Sequence, residues 1–152
     1  MQKLNEIIRP ECIKVPLSAR DKYEAIEELI DVLLAAGKIK DKAPLLEAVL
    51  AREATRSTGI GQGLAIPHGK CAALAGLVGA AGKPVEPIAF ESVDGRPVNF
   101  IVLFGSAIEH TGPHIQALAR LSRLMTSASF CEQIVQARTA EDIHRAFLDH
   151  EP

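Results

Sequence analysis

From Phe100 to Phe104 every side chain is apolar (Phe-Ile-Val-Leu-Phe), so an extended segment there has no face suited to water. A strand of this kind belongs in the interior of a sheet, with further layers covering both sides. Leu77-Val78-Gly79-Ala80-Ala81 reads as a second strand, and Asp94-Gly95 marks a turn between strand segments. Pro84 and Pro87 predict an edge or an irregular crossing in the stretch between the strands.

The covering layers are legible on either side. Ser18 is placed to cap a helix beginning near Ala19, with Asp21 close to the positive end of its dipole. Ile26, Ile30, Leu33 and Leu34 would share one face of that helix, and Gly37 would end it. Asp41 caps the next predicted helix, where Pro44 is tolerated in the first turn and Leu45, Leu46, Val49 and Leu50 form the apolar stripe. After the apolar strand, the pattern turns helical from Thr111, with Leu118, Leu121, Leu124 and Met125 on one side. Ser129 and Thr139 predict the starts of two shorter helices, Thr139 with Asp142 three residues on, and Phe130, Ile134, Ile143 and Phe147 supply their buried sides. Helices at both ends around a central mixed sheet predict an α/β sandwich, read as one domain over residues 1–152.

Composition removes several function classes. A chain of 152 residues can bury roughly 70% of the surface of its unfolded state, enough for a true core. The net charge of −2, with no block of like charge, lacks the basic footprint of a nucleic-acid binder. Cys12, Cys71 and Cys131 are odd in number and widely spaced, which suits a reducing cytoplasm better than a disulfide framework or a zinc site. The first residues lack the apolar core of a signal peptide, and no apolar run approaches the ~20 residues that span a bilayer. The expectation is a soluble cytoplasmic protein.

The chemistry points to Ser57-Thr58-Gly59-Ile60-Gly61-Gln62-Gly63-Leu64-Ala65-Ile66-Pro67-His68-Gly69-Lys70. Here one histidine follows a glycine-rich turn and a short apolar strand, with Pro67 fixing the backbone just before it. A lone histidine among apolar residues is usually structural, but this frame presents His68. Neutral imidazole is a nucleophile near pH 7, and N–H groups of glycine turns are donors to phosphate oxygens. The pattern therefore suggests a phosphohistidine site. Nucleotide loops do not fit: Cys71 follows Gly69-Lys70 where a Walker loop needs Ser or Thr, Leu64 stands where its first glycine belongs, and Gly59 to Gly63 lacks G-x-G-x-x-G spacing. On residue pattern alone, Arg52 reads equally as a helix-end cation facing solvent or as a group folding back to His68.

Residues 57–70 resemble the active-site segment of phosphotransferase-system IIA domains of the fructose–mannitol superfamily, and fit the nitrogen-regulatory branch best. That branch typically reads S-T-G-I-G-x-G-I-A-I-P-H-G-K, from which this chain differs by Leu64. The resemblance extends to Ala51-Arg52-Glu53, to Asp94-Gly95-Arg96-Pro97-Val98 and to His114-Ile115-Gln116-Ala117-Leu118. It implies a mannitol-type IIA fold and a phosphotransferase-type phosphocarrier that takes a phosphoryl group on Nε2 of His68 from a histidine-containing phosphocarrier protein. A backbone carbonyl would be an economical partner for the other ring nitrogen. The resemblance also makes His114 the second histidine, donating to the phosphoryl group from the start of a helix, although Gly112-Pro113 depart from the usual pattern and His110 lies only four residues upstream. Arg52 and Thr58 would stabilise the phosphoryl group, and Lys70 is a weaker candidate. No cofactor or metal is implied.

In the nitrogen-regulatory branch, phosphorylation changes affinity for targets such as sensor kinases and potassium transporters. The alternative is a sugar-specific fructose or mannitol component relaying phosphate to a separate IIB. Two other classes fit less well: a metal-dependent hydrolase using His68, His110, His114 and Glu109, and a binding module without chemistry. The hydrolase suffers from Gly112-Pro113, which interrupt any helix that could align His110 with His114.

Overall fold

The computed structural model describes residues 2–151. A short helix α1 (Leu4–Ile7) and a 3-10 turn (Pro10–Cys12) lead into β1 (Ile13–Leu17), then α2 (Lys22–Ala35) and α3 (Lys42–Thr55). Three short strands follow, β2 (Gly59–Gly61), β3 (Leu64–Ala65) and β4 (His68–Lys70), then β5 (Val78–Pro84) and β6 (Phe100–Ser106). The chain continues through α4 (Thr111–Leu124), α5 (Ala128–Gln136) and α6 (Ala140–His150). The result is a mixed sheet flanked by helices, in the order β1-β5-β6-β3-β2, with β4 also paired to β6.

The apolar strand is where its composition demands. All seven residues of β6 are buried, and it bonds antiparallel to β5 and parallel to both β3 and β4. β3 takes the first part of one edge of β6, at Phe100 and Ile101, while β4 takes the last part, at Phe104 to Ser106. The segment between β3 and β4 carries Pro67, which has no N–H to donate but accepts from Phe104 N at 3.1 Å. This register brings His68 level with Phe104 and Lys70 level with Ser106.

Side chains alternate across a strand, and the alternation decides what each residue of β4 meets. Gly69 faces α3: a Cβ there would lie 2.9 Å from the Val49 nitrogen, so only glycine lets that helix approach the strand this closely. His68 and Lys70 face the other way, toward α4, where Lys70 Nζ donates to Thr111 Oγ1 at 2.9 Å. Val49, with Leu45, forms the buried stripe of α3, while Leu46 and Leu50 are partly covered. α2 packs on α3, and α5 pairs with α6, which reaches β1.

Several helix ends agree with the sequence and several do not. Asp41 caps α3 by accepting from Ala43 N, and Thr139 with Asp142 forms a reciprocal capping box on α6. Gly37, at φ +73, closes α2 as Lys38 N bonds to Leu33 O and Gly37 N to Leu34 O. The start of α2 is corrected: Asp21 is its cap, accepting from Glu24 N, and the helix begins at Lys22 instead of near Ala19. Ser18 is occupied elsewhere, since both its N–H and its hydroxyl donate to Glu28 Oε2 at 2.9 and 3.0 Å. Leu34 is exposed and Leu29 takes its place in the core. α5 is capped by Ser127, which accepts from Phe130 N, and not by Ser129. Pro84 ends an interior strand instead of interrupting an edge, and the irregular crossing lies beyond it, with Ile88 and Val98 as an isolated bridge. Among the described residues no helix is long and apolar enough to cross a membrane.

Candidate functional site

The glycine-rich segment folds as a tight hairpin. Gln62 and Gly63 have φ of 58° and 80°, the left-handed pair that a two-residue type I′ turn needs between β2 and β3. Its tip is tied to the later turn: Gln62 N donates to Asp94 Oδ2 at 3.0 Å. Of the glycine N–H groups, that of Gly59 is taken by Ser57 Oγ at 3.0 Å, and the hairpin leads the chain, through Ile66 and Pro67, to the start of β4.

There His68 sits half-buried, with Nδ1 2.8 Å from the carbonyl oxygen of Ile66. A carbonyl can only accept, so Nδ1 carries the proton and the lone pair is left on Nε2. Burial pushes the His68 pKa down, Arg52 and Lys70 add to that, and the Ile66 carbonyl and Glu53 oppose it. The ring is therefore neutral and nucleophilic at neutral pH.

His114, in the first turns of α4, meets it edge to face, with ring centroids 5.2 Å apart and planes at 66°. It is only 2% exposed. Its Nδ1 lies 2.6 Å from the hydroxyl oxygen of Ser106, itself fully buried, whereas its Nε2 is buried without a hydrogen-bond partner. Burial first, then the neighbouring His68 and Lys70, lower its pKa to about 4. His110 is the residue preceding α4 and leaves the buried position to His114.

Arg52, Thr58 and His68 line one hollow, together with Ile60, Leu118 and Ser122. Arg52 comes from the last turns of α3, and its Nη1 donates to the Arg56 carbonyl at 2.8 Å, which holds the guanidinium over the loop. Thr58 is in the hollow's wall, but its hydroxyl proton goes to Glu53 Oε1 at 2.6 Å, and its N–H to Glu53 Oε2 at 3.0 Å. That hydroxyl cannot simultaneously donate to a phosphoryl oxygen. Beside it, Ser57 Oγ donates to the Phe90 carbonyl and accepts from Gly59 N.

Two further residues stand behind these side chains. Glu53 has no exposed side-chain surface and bonds Thr58 while pairing with Lys22 Nζ at 3.4 Å; Lys22 also reaches the exposed Glu91 at 3.2 Å. Glu53 lies four residues beyond Val49 and eight beyond Leu45, so a carboxylate on the buried stripe was the available signal. Ser106, at the end of an apolar strand, offered none. Among the described residues no three His, Cys, Asp or Glu side chains come together as metal ligands.

The geometry can be set beside known proteins. The family described as phosphoenolpyruvate-dependent sugar phosphotransferase system, EIIA 2, matches residues 6–150. A nitrogen regulatory protein of Bradyrhizobium diazoefficiens is 31% identical over 93% of this chain and 92% of its own length. The fructose-specific EIIABC component of Bacillus subtilis is 32% identical over 98% of this chain, which spans only 24% of that protein's length. The crystal structure of nitrogen regulatory protein IIA-Ntr from Neisseria meningitidis superimposes with a TM-score of 0.86 at 30% identity, covering 95% of this chain and 98% of that one. The mannitol IIA of Escherichia coli, at 20% identity and TM-score 0.76 over 90% of this chain and 96% of its own, shares the fold.

Proposed function

Since the chain belongs to the EIIA 2 family of the phosphoenolpyruvate-dependent sugar phosphotransferase system, whose members are phosphotransfer components, we propose that Nε2 of His68 is its phosphoryl acceptor. The observation that carries this reading is the Ile66 carbonyl on Nδ1, which fixes the tautomer and leaves the Nε2 lone pair beside His114. The donor is a phosphorylated histidine-containing phosphocarrier protein. In the transfer, the Nε2 lone pair forms the new N–P bond while the donor's N–P bond breaks in line, its electron pair returning to the donor imidazole. Such a transfer asks the protein chiefly for positioning and for stabilisation of charge on three equatorial oxygens.

His114 supplies a donor from its Nε2, whose hydrogen bond is unmade in the unmodified protein and is completed by a phosphoryl oxygen. Arg52 contributes positive charge from the hollow's rim. Thr58 acts by position: anchored through both its N–H and its hydroxyl to Glu53, it holds the wall of the hollow in place.

The role we favour is regulatory, in one domain spanning residues 1–152 and working in the cytoplasm. The Bradyrhizobium relative bearing a nitrogen regulatory name matches along nearly its full length. Phosphorylation places close to two negative charges beside the exposed Ile60 and Val93, so a partner docking there has to desolvate an anion. Targets of the sensor-kinase or potassium-transporter kind would then bind the unmodified form more tightly. The match to a fructose-specific EIIABC component supports a second reading, relay of the phosphoryl group to a IIB partner.

Incubation with a phosphorylated histidine phosphocarrier, followed by intact-mass measurement, tests the core of this proposal. Wild type gains one acid-labile, base-stable phosphate and His68→Ala gains none; an acid-stable adduct mapped to Ser57 or Thr58 refutes it. Adding a IIB protein then separates relay from regulation, because only relay discharges His68.

A further inference from the structure

We propose that Ser106 is a positioning residue for phosphoryl transfer: its hydroxyl donates to Nδ1 of His114 and so holds the tautomer that carries the proton on Nε2. The inference rests on the reading of His68 as the acceptor.

Two arrangements are compatible with an Oγ to Nδ1 distance of 2.6 Å. If His114 donated from Nδ1, the Ser106 proton would have no acceptor among the described residues, although the serine is fully buried. The bare Nε2 lone pair would also be buried without a partner, and would face an arriving anion with the wrong polarity. If Ser106 donates instead, Nδ1 accepts, and the one donor left unpaired is Nε2–H. The two ring nitrogens lie on opposite sides of the imidazole, so fixing Nδ1 to the sheet turns Nε2 away from it. The unsatisfied donor then belongs to the ring that packs edge to face on His68, 5.2 Å between centroids, where it is available to complete a hydrogen bond when His68 is modified.

The backbone makes Ser106 a rigid anchor for this purpose. It closes the β4–β6 ladder opposite Lys70, and its carbonyl accepts from Cys71 N at 3.0 Å. Being two residues beyond Phe104, it shares the sheet face onto which α4 brings His114. Since burial keeps the His114 ring neutral, a single nitrogen carries the proton, and the choice of nitrogen decides whether the site offers a donor or a lone pair.

The test begins with ring-nitrogen NMR of the unphosphorylated wild type at neutral pH, which needs no variant. His114 should show the Nε2–H tautomer. In Ser106→Ala the ring should shift toward Nδ1–H, and the rate of phosphoryl acceptance at saturating donor should fall roughly tenfold, short of the ~10²–10³ expected on removing a preorganised donor outright. A wild-type Nδ1–H tautomer overturns the proposal, as does a Ser106→Ala protein in which either the tautomer or the rate is unchanged. A wild type that takes no phosphoryl group on His68 overturns the acceptor reading instead, and the tautomer still decides what Ser106 does.

Discussion

Stability between pH 7 and pH 4 should carry the signature of one buried imidazole. The perturbation is acidification, compared between wild type and His114→Gln. The His114 pKa is lowered from its ordinary value of 6.5 to about 4, chiefly by burial, and further by His68 and Lys70. Below pH 6.5 the unfolded chain therefore takes up a proton that the folded protein refuses. Stability contributed by this site is intact above 6.5, falls with pH, and is fully lost once pH drops below about 4. The total is about 3 kcal/mol for a shift of that size, of which about 2 kcal/mol is already lost near pH 5. For a domain of this length, 2 kcal/mol corresponds to roughly 4–8 °C in Tm. Urea unfolding at several pH values measures this directly. The stability difference between wild type and His114→Gln should narrow by about 2 kcal/mol from pH 7 to pH 5, while the variant keeps the slope of the other groups with lowered pKa, His68 and Glu28 among them. Parallel curves, or a His114 ring resonance titrating near 6.5, would show that the buried ring is not held neutral and refute the reasoning.

Other consequences follow from named contacts. Glu53→Gln removes the buried partner of Lys22 and weakens the anchor of Thr58, so it should cost about 3 kcal/mol in urea unfolding, toward the low end for such pairs because Glu91 remains; a cost under about 1 kcal/mol would mean that Lys22 relies on Glu91 alone. The pKa of Lys22 is raised although burial pulls it down, because Glu91 and Glu53 outweigh that, so its contribution should persist below pH 10.5 and fade as pH rises through the higher folded value, a fade absent in Lys22→Met. Glu151 accepts from Leu4 N and Asn5 N, both at 2.7 Å; in Glu151→Ala these two amides should exchange with solvent much faster, with about 2 kcal/mol lost, whereas unchanged exchange would show that α1 is held by its apolar contacts. Arg52→Ala should slow phosphoryl acceptance by ~10²–10³ with Arg52→Lys restoring only part of it, and a wild-type rate in Arg52→Ala removes the guanidinium from the site.

The sequence by itself determined whatever depends on a few neighbouring residues or on composition. Phe100 to Phe104 had to become an interior strand because no charge opposed it, and the Asp41, Gly37 and Thr139–Asp142 signals act within one helical turn. The presentation of His68 was legible for the same reason: Ile66, Pro67 and Gly69 are its immediate neighbours, and even its orienting carbonyl is only two residues away. Tertiary structure decided the rest, where a polar group had several possible partners far along the chain. Ser18 lost its capping role to Glu28, ten residues on, and the tip of the glycine hairpin was tied through Gln62 N to Asp94, 32 residues on. Thr58 gave its proton to Glu53 because Lys22, 31 residues from that carboxylate, made its burial tolerable. Ser106 and His114 face each other only because strand alternation and the seat of α4 on the sheet bring them together. Short-range signals survive folding because they need no third party, whereas a buried hydroxyl or carboxylate takes its meaning from whichever distant group the packed core places within 3 Å of it.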